Sequence, residues 1–528
     1  MKAFKRIAAF MLAMIMVFGL TMTVYAVDET TAAVEEPTTP ATFEIKITAA
    51  ADGSTVEGHT YNVYQIFKGD VAVDNTVQPS NQMGFKAILS NVVYGKNYGT
   101  ENVEVPKSVL DGLAAKTGEA AAKELYGGLV KKDAPIAVLN NTNGFTTNQV
   151  AGYYLIVDVS TNLPEGATSS AFILQVVDNV TVESKHTSVP NVEKKIDDTN
   201  DSVDAEDKMD WQDSADHDIE DLIPFKLEMT VPANFSQFEK YGEEYRFVFH
   251  DTEDAGLTFQ NDAEVYVDGV KITEGFEVVY PTTDNHTFDV VFEDLTAIAS
   301  VKAGSKITVL YHSKLNDKAV LGHQGNINTV YGEYSNLHRP EYPGRTPDDT
   351  VIAFTYKVVV NKVDDQKDPQ PLEGAEFTLE KFDAAKNDWV AVDQVVTEPG
   401  TTFTFEGLDD GNYRLTETET PDGYNTIDPI YFTVTASHVD TWEKWTPEQR
   451  VNVLTSLSGD KATGDARDIK FTADKAAGSV STDVVNQSGT ILPETGGMGT
   501  TLFYIGGGIM VLAAVVLLVT KKRMMNAE

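Results

Sequence analysis

The chain has 528 residues, of which 42% are hydrophobic and 9% are aromatic. This composition is typical of a globular protein, and at about 100–200 residues per domain the length predicts two to four domains. The formal net charge of −39 argues against nucleic acid as a partner, because binding to phosphates needs a basic surface. There are no cysteines, so any covalent cross-link in the chain must come from other chemistry.

The N-terminus has the pattern of a secretory signal. Three basic residues precede a short apolar segment at 7–20, and Ala26 is a small residue at the position that a signal peptidase reads. We predict a signal peptide over residues 1–26. A flexible leader rich in Thr, Glu, Ala and Pro follows it at 27–42.

The C-terminus carries a short motif, an apolar run and a basic tail, in that order. The motif lies in a spacer at 489–499 and consists of Leu492, Pro493, Glu494, Thr495 and Gly496. Residues 500–520 are long enough to span a bilayer, and the basic residues at 521–528 would stay in the cytoplasm. This order resembles a sortase sorting signal. It implies that a sortase attacks the carbonyl of Thr495 and that the protein becomes anchored to the peptidoglycan of a Gram-positive cell surface.

Between the two ends, short alternating segments of β-branched and aromatic residues dominate. Examples are YNVYQIF at 61–67, FILQVV at 172–177 and FTYKVVV at 354–360, whereas helical spacing is found only at 108–130. The pattern predicts an all-β chain of tandem immunoglobulin-like, Cna-type β-sandwich domains. The three predicted domains span residues 43–186, 187–345 and 352–488.

The third predicted domain contains the sequence YRLTETETPDGY at 413–424. It resembles the E-box of pilin and collagen-adhesin B-type domains, Y-x-L-x-E-T-x-A-P-x-G-Y, and departs from it only where Thr420 replaces alanine. The resemblance implies an amide bond between a lysine on the first strand and an asparagine at the last strand, formed with the help of Glu417.

Strand alternation identifies the partners of Glu417. Because every second residue of a strand shares a face, Glu417, Lys362 and Asn486 each point the same way as the apolar residues of their own strands. Burial lowers the pKa of an amine and raises that of a carboxyl, which yields a neutral nucleophile and an acid that can shuttle protons. We predict a Lys362–Asn486 bond, and the alternative is a buried Lys–Glu ion pair beside an uninvolved asparagine.

Three segments of the second predicted domain resemble the middle domain of major pilins. They are VPNVEKKI at 189–196, FHDT at 249–252 and NTVYGEYSN at 328–336. In that family the middle domain carries a Lys–Asn amide bond whose formation is assisted by an aspartate.

This resemblance implies Asp251 as the assisting acid of the second domain and Asn336 as the acceptor. Lys194 is predicted as the nucleophile in preference to Lys195, because it shares a strand face with apolar neighbours. The alternative acceptors are Asn326 and Asn328.

The first predicted domain resembles the N-terminal domain of the same pilins through YNVYQIFKG at 61–69 and GYYLIVD at 152–158. Lys46 is a first-strand lysine, but the sequence shows no complete cross-link group around it. In the family, a sortase joins the sorting-motif threonine to a lysine at the end of the first domain. Lys185 is the predicted acceptor and Lys195 the second choice, although the family motif W-x3-V-x-V-Y-P-K is degraded before Lys185.

The whole arrangement resembles the major, or backbone, subunit of a sortase-assembled pilus. The implied partners are pilus-specific and housekeeping sortases, identical subunits, minor pilins, peptidoglycan and host surface molecules. The alternative is a non-polymerising wall-anchored adhesin or a minor pilin. An enzyme is not expected, because the sequence contains no nucleophile elbow, histidine cluster or phosphate-binding loop.

No cofactor and no metal site is predicted. The acidic run at 197–210 lacks the glycine and the ligand spacing of an EF-hand loop. A solvated acidic loop is the interpretation that we adopt for it.

Overall fold

The computed structural model describes residues 40–49, 55–74, 86–116, 118–161, 163, 167–184, 189–202, 209–336, 343–392, 395–398, 400–463 and 469–489. The predicted signal peptide, sorting motif and membrane segment lie outside the described residues, and so does Lys185. Within the described ranges, no helix combines the length and the apolar character needed to cross a membrane.

The first domain contains two small β-sheets and two helices. One sheet has the strand order β5-β1-β8, and the other has the order β3-β2-β6-β7 with β4 paired to β2. The helical spacing predicted at 108–130 corresponds to α1 and α2. The elements are β1 Thr42–Thr48, β2 Tyr61–Asp74, β3 Lys86–Tyr94, α1 Lys107–Ala114, α2 Gly118–Gly127, β4 Ala137–Leu139, β5 Thr146–Val150, β6 Gly152–Asp158, β7 Ala171–Val176 and β8 Val180–Glu183.

The second domain is a sandwich of two sheets. The first sheet has the order β10-β9-β12-β19-β15-β16 with β14 on β19, and the second has the order β11-β22-β20-β13-β18-β17 with β21 on β20. Its strands are β9 Asn191–Asp197, β10 Trp211–Gln212, β11 Ser214–Asp216, β12 Leu222–Thr230, β13 Phe247–Glu253, β14 Leu257–Phe259, β15 Glu264–Val267, β16 Val270–Ile272, β17 Glu277–Val279, β18 Phe288–Phe292, β19 Lys306–Leu315, β20 Asn326–Tyr334, β21 Gly344–Arg345 and β22 Asp349–Phe354. Its helix is α3 Phe235–Tyr241, and its 3-10 turns are Leu295–Ala297 and Gly322–Gln324.

The third domain is a second sandwich, with sheets ordered β26-β27-β23-β32-β31 and β25-β24-β28-β29-β30. Its strands are β23 Tyr356–Val363, β24 Glu376–Asp383, β25 Asp388–Ala391, β26 Val395–Glu398, β27 Thr402–Leu408, β28 Gly411–Glu419, β29 Ile430–His438, β30 Leu454–Thr463, β31 Phe471–Asp474 and β32 Ser479–Val485. A 3-10 turn at Pro447–Gln449 leads into α4 Arg450–Val453. The all-β fold predicted from the sequence is confirmed.

Strand β22 joins the second and third domains in an unexpected way. Its alternate residues Val351 and Ala353 pack in the core of the second domain, whereas Ile352 and Phe354 pack in the core of the third. The two faces of β22 thus contribute to two different cores. Because β22 pairs with β20 and β11, the sheet of the second domain extends to Phe354, past the boundary predicted at residue 345.

Replacing Phe405 by alanine should destabilise the third domain. Phe405 lies on β27 and is fully buried, so its truncation leaves a cavity and should lower the free energy of unfolding by about 3–5 kcal/mol. The matched control is Val390→Ala, because Val390 lies on β25 and is 40% exposed; this change should stay within about 0.5 kcal/mol. Urea denaturation followed by tryptophan fluorescence measures both, and an equal loss in the two variants would contradict the packing described here.

Candidate functional site

Lys362 and Asn486 come from neighbouring strands of the third domain. Strands β23 and β32 run parallel, with Lys362 opposite Val484, and Asn486 comes directly after β32. Both side chains are fully buried, as the alternation of their strands predicts. The first and last strands of the domain therefore bring an amine and a carboxamide into one interior.

Glu417 reaches the same interior from β28 in the opposite sheet. Its Oε1 accepts a hydrogen bond from Nδ2 of Asn486 at 2.7 Å. Its Oε2 accepts from the backbone N–H of Ile427 at 3.1 Å and from the hydroxyl of Thr420 at 3.2 Å. The threonine that departs from the E-box pattern thus helps to fix the carboxyl group against the Asn486 amide.

The remaining polar atoms of this group are those that a reaction would use. The amine of Lys362 donates to the backbone carbonyl of Val484 at 2.9 Å. The side-chain carbonyl oxygen of Asn486 is buried and forms no hydrogen bond. An amine, a carboxamide and a carboxyl group are thus assembled in a space shielded from water.

Lys194 is the corresponding lysine of the second domain, on β9. It is fully buried, and its Nζ donates to the carboxylate of Asp251 on β13. The same Nζ donates to Oδ1 of Asn328 at 2.5 Å and to the hydroxyl of Tyr311 at 2.9 Å. Nδ2 of Asn328 also donates to the Tyr311 hydroxyl, at 2.9 Å. Four polar side chains therefore meet inside this sandwich.

Burial sets the protonation of this group. Loss of solvent lowers the pKa of Lys194, although the charge of Asp251 opposes the effect. Loss of solvent likewise raises the pKa of Asp251. Glu253 is a further acid, whose Oε1 accepts from Nδ2 of Asn328 at 3.3 Å. Burial and then the charge of Asp251 raise the pKa of Glu253 to about 7.

The predicted acceptor Asn336 is not part of this group, and Asn328, one of the two alternatives, contacts Lys194 in its place. Oδ1 of Asn336 accepts from the backbone N–H of Ser169, a residue of the first domain, at 3.3 Å. Asn328 and the end of β20 at Tyr334 are separated by roughly 20 Å at about 3.3 Å per residue, and Asn336 lies beyond that end. The two asparagines share one strand face, so alternation alone could not distinguish them.

Lys194 and Lys195 also differ in their surroundings. The amine of Lys195 points away from the core and pairs with Asp213, and its side chain is 24% exposed. This agrees with the preference for Lys194 that alternation gave.

Two residues of the second-domain group were missed by the sequence analysis. Tyr311 alternates with Ile307 and Val309 along β19, and Glu253 has the same strand parity as Asp251. The alternation that places Tyr311 and Glu253 in the interior is visible in the sequence. However, nothing local indicates that β19 and β13 face the same lysine.

The first domain offers no comparable arrangement among its described residues. Lys46 is exposed on β1, and no lysine is buried in the described part of this domain. Its buried polar groups include His59 and Asp158, whose Nδ1 and Oδ2 atoms lie 2.7 Å apart. Strand β8 ends at Glu183, two residues before Lys185.

Lys381 is a third buried lysine, but its surroundings are different. Its Nζ lies 2.6 Å from Asp201, 2.7 Å from Asp218 and 2.9 Å from Asp409, at the junction of the second and third domains. Carboxylates on three sides hold the pKa of Lys381 well above its usual value despite burial. This amine therefore stays charged and is not a nucleophile.

Groups of side chains that could hold a metal occur in two places among the described residues. Three groups of aspartates, one of which includes His438, lie at the junction of the second and third domains. The aspartates of one of these groups already surround the amine of Lys381. The other place is on the second domain and combines His250, His286 and Asp289.

Comparisons with known proteins agree with this architecture. Residues 356–447, most of the third domain, match the family described as the SpaA prealbumin-like fold domain. The trypsin-resistant surface T6 protein of Streptococcus pyogenes is 22% identical in an alignment of 307 residues that covers 53% of this chain and 52% of that protein. The chain thus spans about half the length of this curated relative.

Two solved structures share the fold. The T6 backbone pilin of Streptococcus pyogenes superposes with a TM-score of 0.50 and 19% identity, over 86% of this chain and 100% of the other. The full-length major pilin SpaD of Corynebacterium diphtheriae gives a TM-score of 0.50 and 18% identity, over 85% and 98% of the two chains. The fold is thus that of modular, multi-domain β proteins. The resemblance to major pilins of Gram-positive bacteria, first seen in the sequence motifs, is confirmed by these comparisons.

Glu253→Gln should change the pH dependence of stability. Folding raises the pKa of Glu253 from 4.5 to about 7, so the folded state binds this proton more tightly than the unfolded state. The resulting stabilisation is complete below about pH 4.5 and is lost as the pH rises through about 7. Between about pH 5 and pH 8 the wild type should lose roughly 1–3 kcal/mol relative to the variant.

Thermal unfolding at both pH values measures this difference. The matched control is Glu277→Gln, an exposed glutamate on β17 of the same domain, which should leave the pH dependence unchanged. A parallel response of wild type and Glu253→Gln would show that Glu253 is solvated in the folded protein.

Proposed function

We propose that this chain is the shaft subunit of a covalent pilus on the surface of a Gram-positive bacterium. In this proposal a sortase joins Thr495 of one subunit to a lysine of the next, and buried Lys–Asn amide bonds form inside the second and third domains. The observation that carries the proposal is the meeting of Lys362, Glu417 and Asn486 between the first and last strands of the third domain.

The topology of the third domain suits a protein that carries tension. The chain enters at the start of β23 and leaves at the end of β32, and these strands are parallel neighbours. Pulling on the two ends would shear one strand past the other. An amide between Lys362 and Asn486 would pass the force directly from β23 to the exit, so that residues 363–485 carry none of it.

The same bond would stabilise the domain at rest. In the loop-entropy model, closing a loop of roughly 100 residues removes about 4–5 kcal/mol of conformational freedom from the unfolded state. Unlike a disulfide, an amide is indifferent to the redox state of the surroundings. A chain without cysteines gains covalent ties in this way.

The reaction in the third domain needs no further reactant. The neutral amine of Lys362 attacks the side-chain carbonyl carbon of Asn486, and a new C–N bond forms. The carboxyl group of Glu417 moves a proton from the amine to Nδ2 of Asn486, with which it already shares a 2.7 Å hydrogen bond. The old C–N bond then breaks, ammonia leaves and the carboxyl group is regenerated.

In the second domain Lys194 attacks Asn328, and Asp251 moves the proton. The lowered pKa of Lys194 and the raised pKa of Asp251 both favour the neutral forms that the reaction needs. Tyr311 is a positioning residue, because its hydroxyl touches the amine, the carboxyl and the carboxamide at 2.9, 3.2 and 2.9 Å. Each bond forms once per molecule, so the chain modifies itself and is not an enzyme.

Lys185 is the proposed acceptor for the incoming subunit. It follows Ser184, which is buried and lies 3.0 Å from the Tyr61 hydroxyl, so the position before Lys185 is attached to the first domain. The proposed partners are pilus-specific and housekeeping sortases, identical subunits, minor pilins and peptidoglycan. The proposed ligands are host surface molecules. The degraded motif before Lys185 favours the second candidate function, a non-polymerising adhesin or minor pilin.

The intact mass of the mature protein tests the two cross-links separately. The wild type should be lighter than its sequence by two ammonia molecules, because each amide bond releases one. Glu417→Ala and Asp251→Ala should each regain one ammonia, since each removes a proton shuttle. Asn328→Ala should also regain one, whereas Asn336→Ala should regain none.

Lys195→Ala is the matched control for Lys194→Ala in the same experiment. The first change should leave the mass deficit intact and the second should restore one ammonia. A deficit of two ammonia molecules in Lys194→Ala, or of only one in Lys195→Ala, would move the bond to another lysine. A wild type without any deficit would refute both cross-links.

Immunoblots of wall extracts boiled in SDS test polymerisation. The wild type should give a ladder of high-mass bands, and Lys185→Ala should collapse the ladder to monomer because the acceptor amine is missing. Lys195→Ala is the control and should keep the ladder. A ladder in both variants would support a pilus subunit whose acceptor lysine is neither Lys185 nor Lys195. A single monomer band in the wild type would favour the adhesin.

A further inference from the structure

The outer face of the second domain carries a group of side chains that the cross-link chemistry does not use. The strand register places Asp289 on β18 next to His250 on β13, and His250 next to Tyr331 on β20. Asp251, the neighbour of His250 in sequence, points to the other side of the sheet. His286 lies in the turn just before β18 and completes the group.

The ligand atoms of this group are close together. Oδ1 of Asp289 lies 2.7 Å from Nδ1 of His250 and 3.2 Å from Nδ1 of His286. Oδ1 of Asp284, in the same turn, lies 3.1 Å from Nδ1 of His286. Ligand atoms bound tetrahedrally at about 2.0–2.1 Å from zinc are separated from one another by about 3.3 Å. The two separations that involve His286 are of this size, and the one between His250 and Asp289 is shorter.

Hydrogen bonding alone does not satisfy the group. Nδ1 of His286 is buried and forms no hydrogen bond, although it faces the carboxylates of Asp284 and Asp289. Nε2 of the same ring lies 3.1 Å from the Tyr331 hydroxyl. If that nitrogen donates its hydrogen to Tyr331, the lone pair of Nδ1 is directed at carboxylate oxygens. A cation between these atoms would remove the repulsion.

We propose that this group binds one divalent transition-metal ion, with zinc as the best match. Nδ1 of His250, Nδ1 of His286 and Oδ1 of Asp289 are the ligands, and the exposed carboxylate of Asp284 lies beside His286. Two imidazoles and carboxylates suit zinc, whereas calcium and magnesium prefer oxygen ligands throughout. His250 and Asp289 are each about nine-tenths buried, so the site is built into the sheet rather than spread over the surface.

Tyr331 is a positioning residue for this site. Its hydroxyl holds Nε2 of His286, and its ring stacks on the imidazole of His250 at 4.7 Å between ring centres. A partner on the second imidazole nitrogen fixes the tautomer and the orientation of a metal-bound histidine. The bound ion would tie the exposed turn before β18 to the centre of the sheet, on the side opposite Lys194 and Asp251.

Native mass spectrometry and calorimetric titration of the mature wild-type protein with zinc chloride test the proposal. We expect one zinc ion per chain and an unfolding temperature that rises with zinc concentration, because the ion binds only the folded site. His286→Ala removes a ligand from a turn and should abolish stoichiometric binding. Tyr331→Phe keeps all ligands and should weaken zinc binding about 10–100-fold.

His312→Ala is the matched control. His312 also lies beside a carboxylate, with its Nδ1 2.7 Å from Oδ2 of Asp262, but both residues are about two-fifths exposed and no second histidine joins them. This variant should bind zinc like the wild type. Absence of stoichiometric zinc in the wild type, or equal binding by wild type and a folded His286→Ala variant, would overturn the proposal.

Discussion

The burial of a lysine amine is the constraint on which the chemistry of the second and third domains depends. Removal of water disfavours the ammonium form, and carboxylates in direct contact with the amine oppose that effect. The carboxylate of Asp251 contacts Lys194, and the pKa of this lysine falls. Three carboxylates surround Lys381, and its pKa rises. Two similarly buried lysines therefore have pKa shifts of opposite direction, and the proposed cross-link uses the one whose pKa falls.

The sandwich fold supplies the second requirement, which is proximity between residues far apart in sequence. In the third domain the parallel pairing of β23 and β32 aligns Lys362 with Val484 near the end of the domain, and the facing sheet contributes Glu417. In the second domain the amine and the carboxamide come from opposite sheets. The polar atoms of each group are buried and depend on partners within the protein, which makes the group costly to leave incomplete.

Strand alternation explains how much of these groups can be predicted from the sequence. It correctly places Lys362, Glu417 and Asn486 in the interior, because a period of two requires no knowledge of the fold. It cannot choose between Asn328 and Asn336, which share a face but differ in their position along the chain. That choice depends on which strands pair and in what register. The second domain was predicted to end at residue 345, yet the later strand β22 is shared by two cores.

The shared strand also determines where tension would pass through the molecule. With ties from Lys194 to Asn328 and from Lys362 to Asn486, the segment between Asn328 and Lys362 remains on the path of the force. Strand β22 occupies the middle of this segment, and both of its faces are buried in hydrophobic cores. Extracting it would expose two cores at once, so the noncovalent part of the path is protected by burial on both faces of the strand.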